Sequence, residues 1–396
     1  MQAKRNRMGM MAAAAGWVGV AAAAAAAAGP DPAALAAGMD RGAGYLLSVQ
    51  GTDGAWLGHP AVTALACMAV QKAPLGATPR GREAVARGLA LVVRFAQPDG
   101  SIWAKSEGEY PNYSTAICLL ALHQANRPQD RPLMQAARAY LIGSQFSDVP
   151  GGDPAYGGIG YGKSKRPDLS NTQWALEALY ATESLDRDTP AADPAKAKAA
   201  RLCWERAIRF LSRCQNLPES NDQAWVSADP ADRGGFVYRP GESKAGKTGR
   251  DGRPAAAGLA TDEGDTLRSY GSMTYAGLKS MLYARLPADD PRVRAACGWL
   301  EHHYTFDENP GMGAAGLYYY LHTAAKALAA TGRPALVVDG KPRDWRADLA
   351  ASLLARQRPD GGWRNDNGRW MESVPELTTA YAVLTLAAVR DAAPGP

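Results

Sequence analysis

Gln357-Arg-Pro-Asp360-Gly361-Gly-Trp363 predicts a tight turn, and the almost wholly apolar segment Thr379-Ala-Tyr-Ala-Val-Leu-Thr-Leu386 follows it. Apolar segments of this kind begin at six threonines along the chain: Thr63, Thr115, Thr172, Thr274, Thr323 and Thr379. Successive threonines are 52, 57, 102, 49 and 56 residues apart, so one step is about twice the others. A fixed period of this length is typical of one supersecondary unit that is used repeatedly.

Each unit is predicted to contain two helices of different character. The first is amphipathic: after Asp290-Pro291, apolar residues recur at helical spacing at Val293, Cys297 and Leu300. The second begins near the threonine and is apolar on nearly every side, so it needs neighbours all round. Half-buried helices that alternate with enclosed ones predict an all-α fold, an (α/α)6 toroid of two concentric helix rings.

The doubled step between Thr172 and Thr274 is explained by an insertion at about residues 216–268. This stretch is polar and rich in glycine, and it lacks the apolar periodicity of a further helix pair. It is far longer than an ordinary connection, which makes it a candidate lid or binding loop. Residues 30–396 are therefore expected to form a single toroid domain.

Residues 1–29 have the pattern of a secretory signal peptide. Lys4, Arg5 and Arg7 precede an uncharged run that ends in small residues. An exported protein is expected, periplasmic or extracellular, with an uncleaved membrane anchor as the alternative. Without these three basic residues the net charge falls from +5 to about +2, which gives no electrostatic case for a nucleic-acid partner.

A sequence motif at the predicted turns, called here the turn word, occurs three times: twice as Gln-x-x-Asp-Gly-x-Trp and once in a shifted form. Asp-Gly favours a tight turn, the glutamine can bond free backbone groups at a helix end, and the tryptophan can cover the junction. A structural role is therefore predicted for the members of the three words: Gln50, Asp53, Gly54, Trp56, Gln97, Asp99, Gly100, Trp103, Gln357, Asp360, Gly361 and Trp363.

These words resemble the QW repeats of the squalene cyclase and prenyltransferase superfamily, also described as prenyltransferase and squalene oxidase repeats. Degenerate copies near Gly158, Gly234-Gly235 and Pro310-Gly311 extend the resemblance over nearly the whole mature chain. The resemblance implies an α/α toroid with a terpenoid cyclase-like cavity. It also implies an apolar, isoprenoid-type ligand.

The catalytic and metal-binding motifs of that superfamily are incomplete in this chain. The cyclase acid word DxDD is absent from all six inner-helix starts, for example from Leu169-Ser-Asn-Thr172. Tyr320-Leu-His322-Thr323 is similar to the histidine word of the zinc prenyltransferases, but the matching positions around Tyr270 carry neither Asp nor Cys. One ligand of three does not make a zinc site, so neither a metal nor another cofactor is expected.

Polar residues at the mouth of the barrel are the catalytic candidates, because sites concentrate in such concavities. Each also has a structural alternative, such as a turn, a helix cap or a core histidine. The catalytic candidates are His322, Asp307, Glu308, Asp265 and Glu376. Aromatic residues near inner-helix starts could stabilise a carbocation or stack on sugar rings. The candidates for substrate binding are Tyr270, Tyr275, Tyr318, Tyr319, Tyr320, Trp174 and Tyr113.

Three functions remain open at this level. The first is a toroid that binds or transforms an isoprenoid-type apolar substrate; if it is an enzyme, it is a cyclase-like isomerase or transferase. The second is a non-catalytic exported binding or scaffold protein, and the third a carbohydrate-active (α/α)6 enzyme, which needs two neighbouring carboxylates. The expected partners are an apolar small molecule and, peripherally, a membrane; whether there is a protein partner is not indicated by the sequence.

Overall fold

The computed structural model describes residues 29–105, 110–162, 166–187, 194–250, 252–256, 258–260 and 264–392. The expected signal segment lies almost entirely outside these residues. Among the helices that are described, none is long and apolar enough to cross a membrane.

The described residues form thirteen α-helices and seven short strands. The helices are α1 Pro32–Val49, α2 Pro60–Lys72, α3 Pro79–Arg94, α4 Pro111–Ala125, α5 Arg131–Gly143, α6 Leu169–Ala181, α7 Ser184–Arg187, α8 Pro194–Arg213, α9 Gly271–Tyr283, α10 Pro291–His302, α11 Leu317–Thr331, α12 Trp345–Ala355 and α13 Pro375–Asp391. The strands are β1 Glu242–Ser243, β2 Lys247–Thr248, β3 Pro254–Ala255, β4 Gly258–Leu259, β5 Thr266–Leu267, β6 Leu336–Val338 and β7 Lys341–Arg343.

Six helices, α2, α4, α6, α9, α11 and α13, form a closed inner ring. Each packs against the next, and α13 packs against both α2 and α1, which joins the end of the repeat to its beginning. Helices α1, α3, α5, α8, α10 and α12 lie outside this ring. The predicted all-α (α/α)6 toroid is confirmed. The insertion between α8 and α9 contributes strands β1 to β5, which pair as one two-stranded and one three-stranded antiparallel sheet.

Two of the three turn-word glutamines link neighbouring outer helices, whereas Gln97 bonds the carbonyls of Phe95 and Trp103 at its own turn. The Gln50 amide donates to the carbonyl of Gly54 in its own turn and to that of Ala84 in α3. Gln357 makes the same pair of bonds to Gly361 and to Gly38 in α1, which closes the outer ring. Gln145 and Gln215 do likewise, although neither stands in a recognisable word.

The tryptophans and glycines of two words have equally definite roles. The indole N–H of Trp56 donates to the carbonyl of Leu46 at 2.8 Å, and that of Trp363 donates to Leu353 at 2.8 Å. Gly361 has a φ of 88°, and a Cβ there would lie 2.5 Å from the carbonyl oxygen of Arg41. Only glycine suits such a turn, because it combines a left-handed backbone with close approach of another chain segment.

The repeated threonine holds the turn that precedes its helix. In five of the six units its hydroxyl accepts a hydrogen bond of 2.8–3.0 Å from a turn amide: Trp56 to Thr63, Ile102 to Thr115, Ile159 to Thr172, Phe236 to Thr274, and Trp363 to Thr379. In the remaining unit the hydroxyl of Thr323 bonds the carbonyl of Tyr319 within its own helix. The six threonines are buried, so these bonds satisfy backbone groups that water cannot reach.

Candidate functional site

A cavity of about 620 Å³ lies inside the ring at the end where the inner helices begin. Its size is that of a small-molecule site. The first half of each of the six inner helices contributes to the wall, together with the turns that precede those helices. The wall is mainly aromatic and apolar, with seven tyrosines in it: Tyr110, Tyr113, Tyr161, Tyr238, Tyr270, Tyr319 and Tyr381.

The tyrosine hydroxyls bond one another and nearby polar groups. The hydroxyls of Tyr113 and Tyr381 lie 3.1 Å apart across the ring. The hydroxyl of Tyr319 accepts from the amide of Gln173 at 3.2 Å and lies 3.3 Å from the Ser170 hydroxyl. Burial raises the pKa of both Tyr319 and Tyr381, so these phenols stay protonated at neutral pH.

The mouth of the cavity is formed partly by the insertion and partly by the sixth turn. The insertion supplies Tyr238 and Lys244, whose ammonium lies 4.5 Å from the centre of the Tyr238 ring. From the sixth turn come Trp370 and Met371, which remain 45% and 46% exposed. Trp370 has a left-handed backbone, with a φ of 56°, and packs over Gly316, where a Cβ would be 2.8 Å from its ring.

Glu372 is the one carboxylate in the described lining of the cavity. Its two oxygens accept hydrogen bonds from the backbone amides of Tyr318 and Tyr319, at 3.2 and 2.8 Å. The Asn365 amide donates a further bond at 2.7 Å. Helix α11 has no side-chain cap of its own, so Glu372 caps it from the next turn. Burial raises the pKa of this carboxyl.

A second carboxyl, Asp168, lies immediately behind the wall. It caps α6 by accepting hydrogen bonds from the backbone amide of Asn171 at 2.9 Å and from the side-chain amide of the same residue at 2.8 Å, and the Tyr238 side chain lies near enough to lower its pKa. Burial raises the pKa of Asp168 to about 6, against the effect of these bonds. Sequence reasoning missed this residue, although Asp168-Leu-Ser170-Asn171-Thr172 keeps the first position of DxDD and the threonine after it.

The cavity ends at an aromatic floor near the middle of the barrel. The ring of His322 stacks on Trp174 at 5.8 Å and lies 5.4 Å from the ring of Tyr381. Tyr113 meets Trp174 edge-on at 6.3 Å. Tyr113 and Tyr381 face the cavity, whereas Trp174 and His322 line a different cavity beyond the floor.

The structure does not bring the five catalytic candidates together, and none of the five lines the tyrosine-lined cavity. His322 lies in the floor, where burial lowers its pKa to about 3 although Glu177 raises it. Asp307 and Glu308 are exposed, and Asp307 pairs with Arg356 at 3.1 Å. The remaining two are Asp265, which is buried beside Lys247 in the insertion, and Glu376, which is half-buried in the first turn of α13.

The aromatic candidates divide into two groups. Tyr113, Tyr270 and Tyr319 line the cavity, and Trp174 forms its floor. Tyr275 and Tyr320 pack on each other at 5.6 Å outside the cavity, and the hydroxyl of Tyr318 donates to the carbonyl of Arg364. Across the described part of the chain, no three His, Cys, Asp or Glu side chains are placed to hold a metal ion.

Comparison of the fold with solved structures identifies it as a squalene-cyclase-like α/α toroid. The type II terpene cyclase MstE from Scytonema superposes with a TM-score of 0.52 and 15% identity, over 91% of this chain and 100% of that one. A variant of the same cyclase in complex with its substrate, geranylgeranyl dihydroxybenzoate, gives 0.50 and 15%, over 91% and 99%. At this identity the likeness shows the fold alone.

A glucoamylase from Hormoconis resinae superposes with a TM-score of 0.46 and 12% identity, over 92% of this chain and 76% of that one. This likeness is too weak to support an argument about function. No known protein family matches the sequence, and no curated protein is similar to it.

Proposed function

We propose that this protein binds an isoprenoid-type apolar substrate in the tyrosine-lined cavity. The observation that carries the proposal is the cavity itself: about 620 Å³, enclosed by the inner ring and walled by seven tyrosines and by aliphatic residues such as Val62, Leu65 and Leu377. Burial of an isoprenoid chain against this wall is favourable by the hydrophobic effect. That a toroid of the same fold binds a geranylgeranyl compound supports the choice of ligand class.

The wall is also suited to a substrate that passes through a carbocation. Aromatic faces attract a cation through their quadrupoles, and protonated phenols cannot quench it as phenolates would. Asp168 is the carboxyl that we assign to proton supply, through the hydroxyl of Tyr238, which lines the cavity. A carboxyl with a pKa near 6 is partly protonated at neutral pH and can act as a general acid.

The carbohydrate alternative has less support from the wall. A glycosidase needs two carboxylates on either side of the scissile bond. Glu372 is the one carboxylate in the described lining, and its oxygens already accept bonds from α11 and Asn365.

Binding is tested with geranylgeraniol by isothermal titration, on the wild type and two variants of matched chemistry. Ala61→Phe fills the cavity from α2, whereas Ala181→Phe adds the same ring beyond the aromatic floor. We expect saturable binding to the wild type, at least a tenfold loss in Ala61→Phe, and a change of less than twofold in Ala181→Phe. Equal affinities of wild type and Ala61→Phe, or no binding at all, would overturn the proposal.

Chemistry is tested separately by incubation with geranylgeranyl dihydroxybenzoate, followed by chromatographic separation of the isomers with mass spectrometric detection. We expect an isomerised product from the wild type and at least a hundredfold less from Asp168→Asn, with substrate affinity retained. Affinity without any product would make this a binding protein, which is the scaffold alternative. Equal product from Asp168→Asn would remove Asp168 from the mechanism.

A further inference from the structure

A second cavity, of about 340 Å³, opens at the opposite end of the inner ring, where the inner helices end. The second halves of α2, α4, α6, α11 and α13 form its wall. Trp174 and His322 separate it from the tyrosine-lined cavity, so the two do not share an entrance.

An uncompensated positive charge faces this second cavity. Glu177 is 5% exposed and pairs with two lysines, Lys279 at 1% exposure and Lys326 at 35%. Lys279 is buried behind the wall and by itself neutralises Glu177, whereas Lys326 lines the cavity, 2.9 Å from the same carboxylate. The other carboxylate in the wall, Asp391, is already paired with Lys72 at 2.9 Å and with Arg390.

The helix ends do not account for Lys326. A lysine in the last turn of a helix complements the negative end of the helix dipole, an effect confined to that turn. Lys72, the last residue of α2, fits this description. Lys326 lies five residues before Thr331, the end of α11, and therefore more than one turn from it. An ammonium has three N–H donors, and the Glu177 oxygen takes one of them.

His322, which also lines this cavity, carries a polar atom without a partner in the described part of the structure. It is 4% exposed, and its Nδ1 is buried without a hydrogen-bond partner among the described residues. Because burial lowers its pKa to about 3, the imidazole is neutral and offers one donor and one acceptor. Buried polar atoms without a partner are rare and require an explanation, such as a bound molecule.

Besides the groups already described and the polar side chains of His123 and Gln124, the wall is apolar. Met68, Leu120, Leu384 and Ala387 line the cavity beside the ring of Trp174. A bare inorganic anion would leave these surfaces without contacts, whereas a molecule with an apolar body would cover them.

We infer that this second cavity binds a small carboxylic acid with an apolar body, whose carboxylate pairs with Lys326 while the body packs against Trp174 and Leu120. A charge-assisted bond to Lys326 fixes the head, and the imidazole of His322 supplies a further hydrogen bond. The inference does not depend on the proposed isoprenoid site, because the floor keeps the two cavities apart.

Benzoate is the probe, titrated against the wild type by isothermal calorimetry with benzamide and inorganic phosphate as comparison ligands. We expect saturable binding of benzoate, and at least tenfold weaker binding of benzamide, which has the shape without the charge. Phosphate, which has charge without an apolar body, should also bind at least tenfold more weakly. Absence of saturation up to ~10 mM benzoate would overturn the inference, as would equal affinity for benzamide or phosphate.

Variants then locate the site. Lys326→Met should weaken benzoate binding at least tenfold, and Lys326→Arg should retain it within threefold, since Glu177 keeps Lys279 as its partner in both. Ala181→Phe should abolish benzoate binding and spare geranylgeraniol, and Ala61→Phe should do the reverse. Should Lys326→Met fail to fold, Ala181→Phe and the benzamide comparison decide. Benzoate binding unaffected by Ala181→Phe would place the ligand elsewhere and overturn the inference.

Discussion

The carboxylate of Glu372 accepts a hydrogen bond of 2.8 Å from the backbone amide of Tyr319, a residue of the preceding unit's inner helix. Glu372 thus caps the first turn of α11. The same bond holds Tyr319, whose ring lines the cavity. Cap and cavity wall depend on the same bond.

Replacement of Glu372 should therefore destabilise the fold. Glu372→Ala leaves buried amides of α11 without an acceptor, so we expect the free energy of unfolding to fall by about 1–3 kcal/mol. Glu372→Gln, which keeps one oxygen, should lose less. Urea unfolding measures both, with Glu376→Ala as the control: this half-buried neighbour should change stability by less than about 0.5 kcal/mol. Similar losses in the two alanine variants would refute a capping role.

The buried carboxyl of Asp168 should make stability depend on pH in a defined direction. Its pKa is about 6 in the fold and about 4 in an unfolded chain. Between these values the folded protein binds more protons, so the contribution of Asp168 is fully present below pH 4 and is lost as the pH rises through 6.

Asp168→Asn, which can still cap α6, removes this titration. The difference in the free energy of unfolding between variant and wild type should therefore shift in favour of the variant by on the order of 2–3 kcal/mol from pH 4 to pH 7. Urea unfolding of both proteins at the two pH values measures this difference. The other titrating groups contribute equally to both proteins and therefore cancel. A difference that does not change with pH would show that Asp168 ionises normally.

The threonines of the repeat should differ in their effect on stability. Thr115→Val removes the acceptor of the buried Ile102 amide and should cost about 1–3 kcal/mol. Thr323→Val, equally buried, removes only a bond from its hydroxyl to the carbonyl of Tyr319, which α11 also satisfies, and should cost less than about 1 kcal/mol. Thermal or urea unfolding compares them, and equal costs would contradict the turn-holding role.

The buried pair of Glu177 and Lys279 should behave as a unit. Burial alone would raise the pKa of Glu177, but the Lys279 ammonium beside it holds the pKa well below its ordinary value. Glu177→Gln should cost about 3–5 kcal/mol, because it leaves a buried lysine unpaired. Adding Lys279→Met should restore much of this loss, as a double-mutant cycle in urea would show. A double variant less stable than Glu177→Gln would argue against the pairing.

The exposed apolar mouth should contact a lipid surface. Replacing Trp370 and Met371 by serine should reduce co-sedimentation with phosphatidylcholine vesicles at least threefold, because exposed apolar patches mark such contacts. Val337→Ser is the matched control: Val337 is 51% exposed but lies in the connection from α11 to α12, at the other end of the barrel. Equal sedimentation of all three proteins would exclude the mouth as a docking surface.

The fold could be predicted from the sequence because its period and turn words repeat. The words at Gln50 and Gln357 keep glutamine and glycine four residues apart, as a short turn requires. Gln145 and Gln215 make the same bonds across separations of 12 and 19 residues. A sequence pattern of fixed spacing does not find these two glutamines, because the loops between each glutamine and its acceptor differ in length although the bonding geometry is the same.

The site was less predictable, because each wall position depends on helix phase and on loop paths. Adjacent helical residues point about 100° apart, so of Tyr318, Tyr319 and Tyr320 only Tyr319 faces the cavity, and the sequence does not say which. Tyr238 reaches the wall from the insertion by a fold-back that no local pattern encodes. Asp168 could have been found, since it stands four residues before Thr172.

The aromatic floor formed by Trp174 and His322 closes the inner end of the tyrosine-lined cavity, so that the mouth is its one opening in the described structure. A linear chain that enters past Trp370 must stop at that floor and must leave by the way it came. For the proposed isoprenoid ligand, the depth from mouth to floor would then limit how many isoprene units fit before the polar head is left at Lys244. Chain-length preference is, on this view, set by the size of two rings in the middle of the barrel.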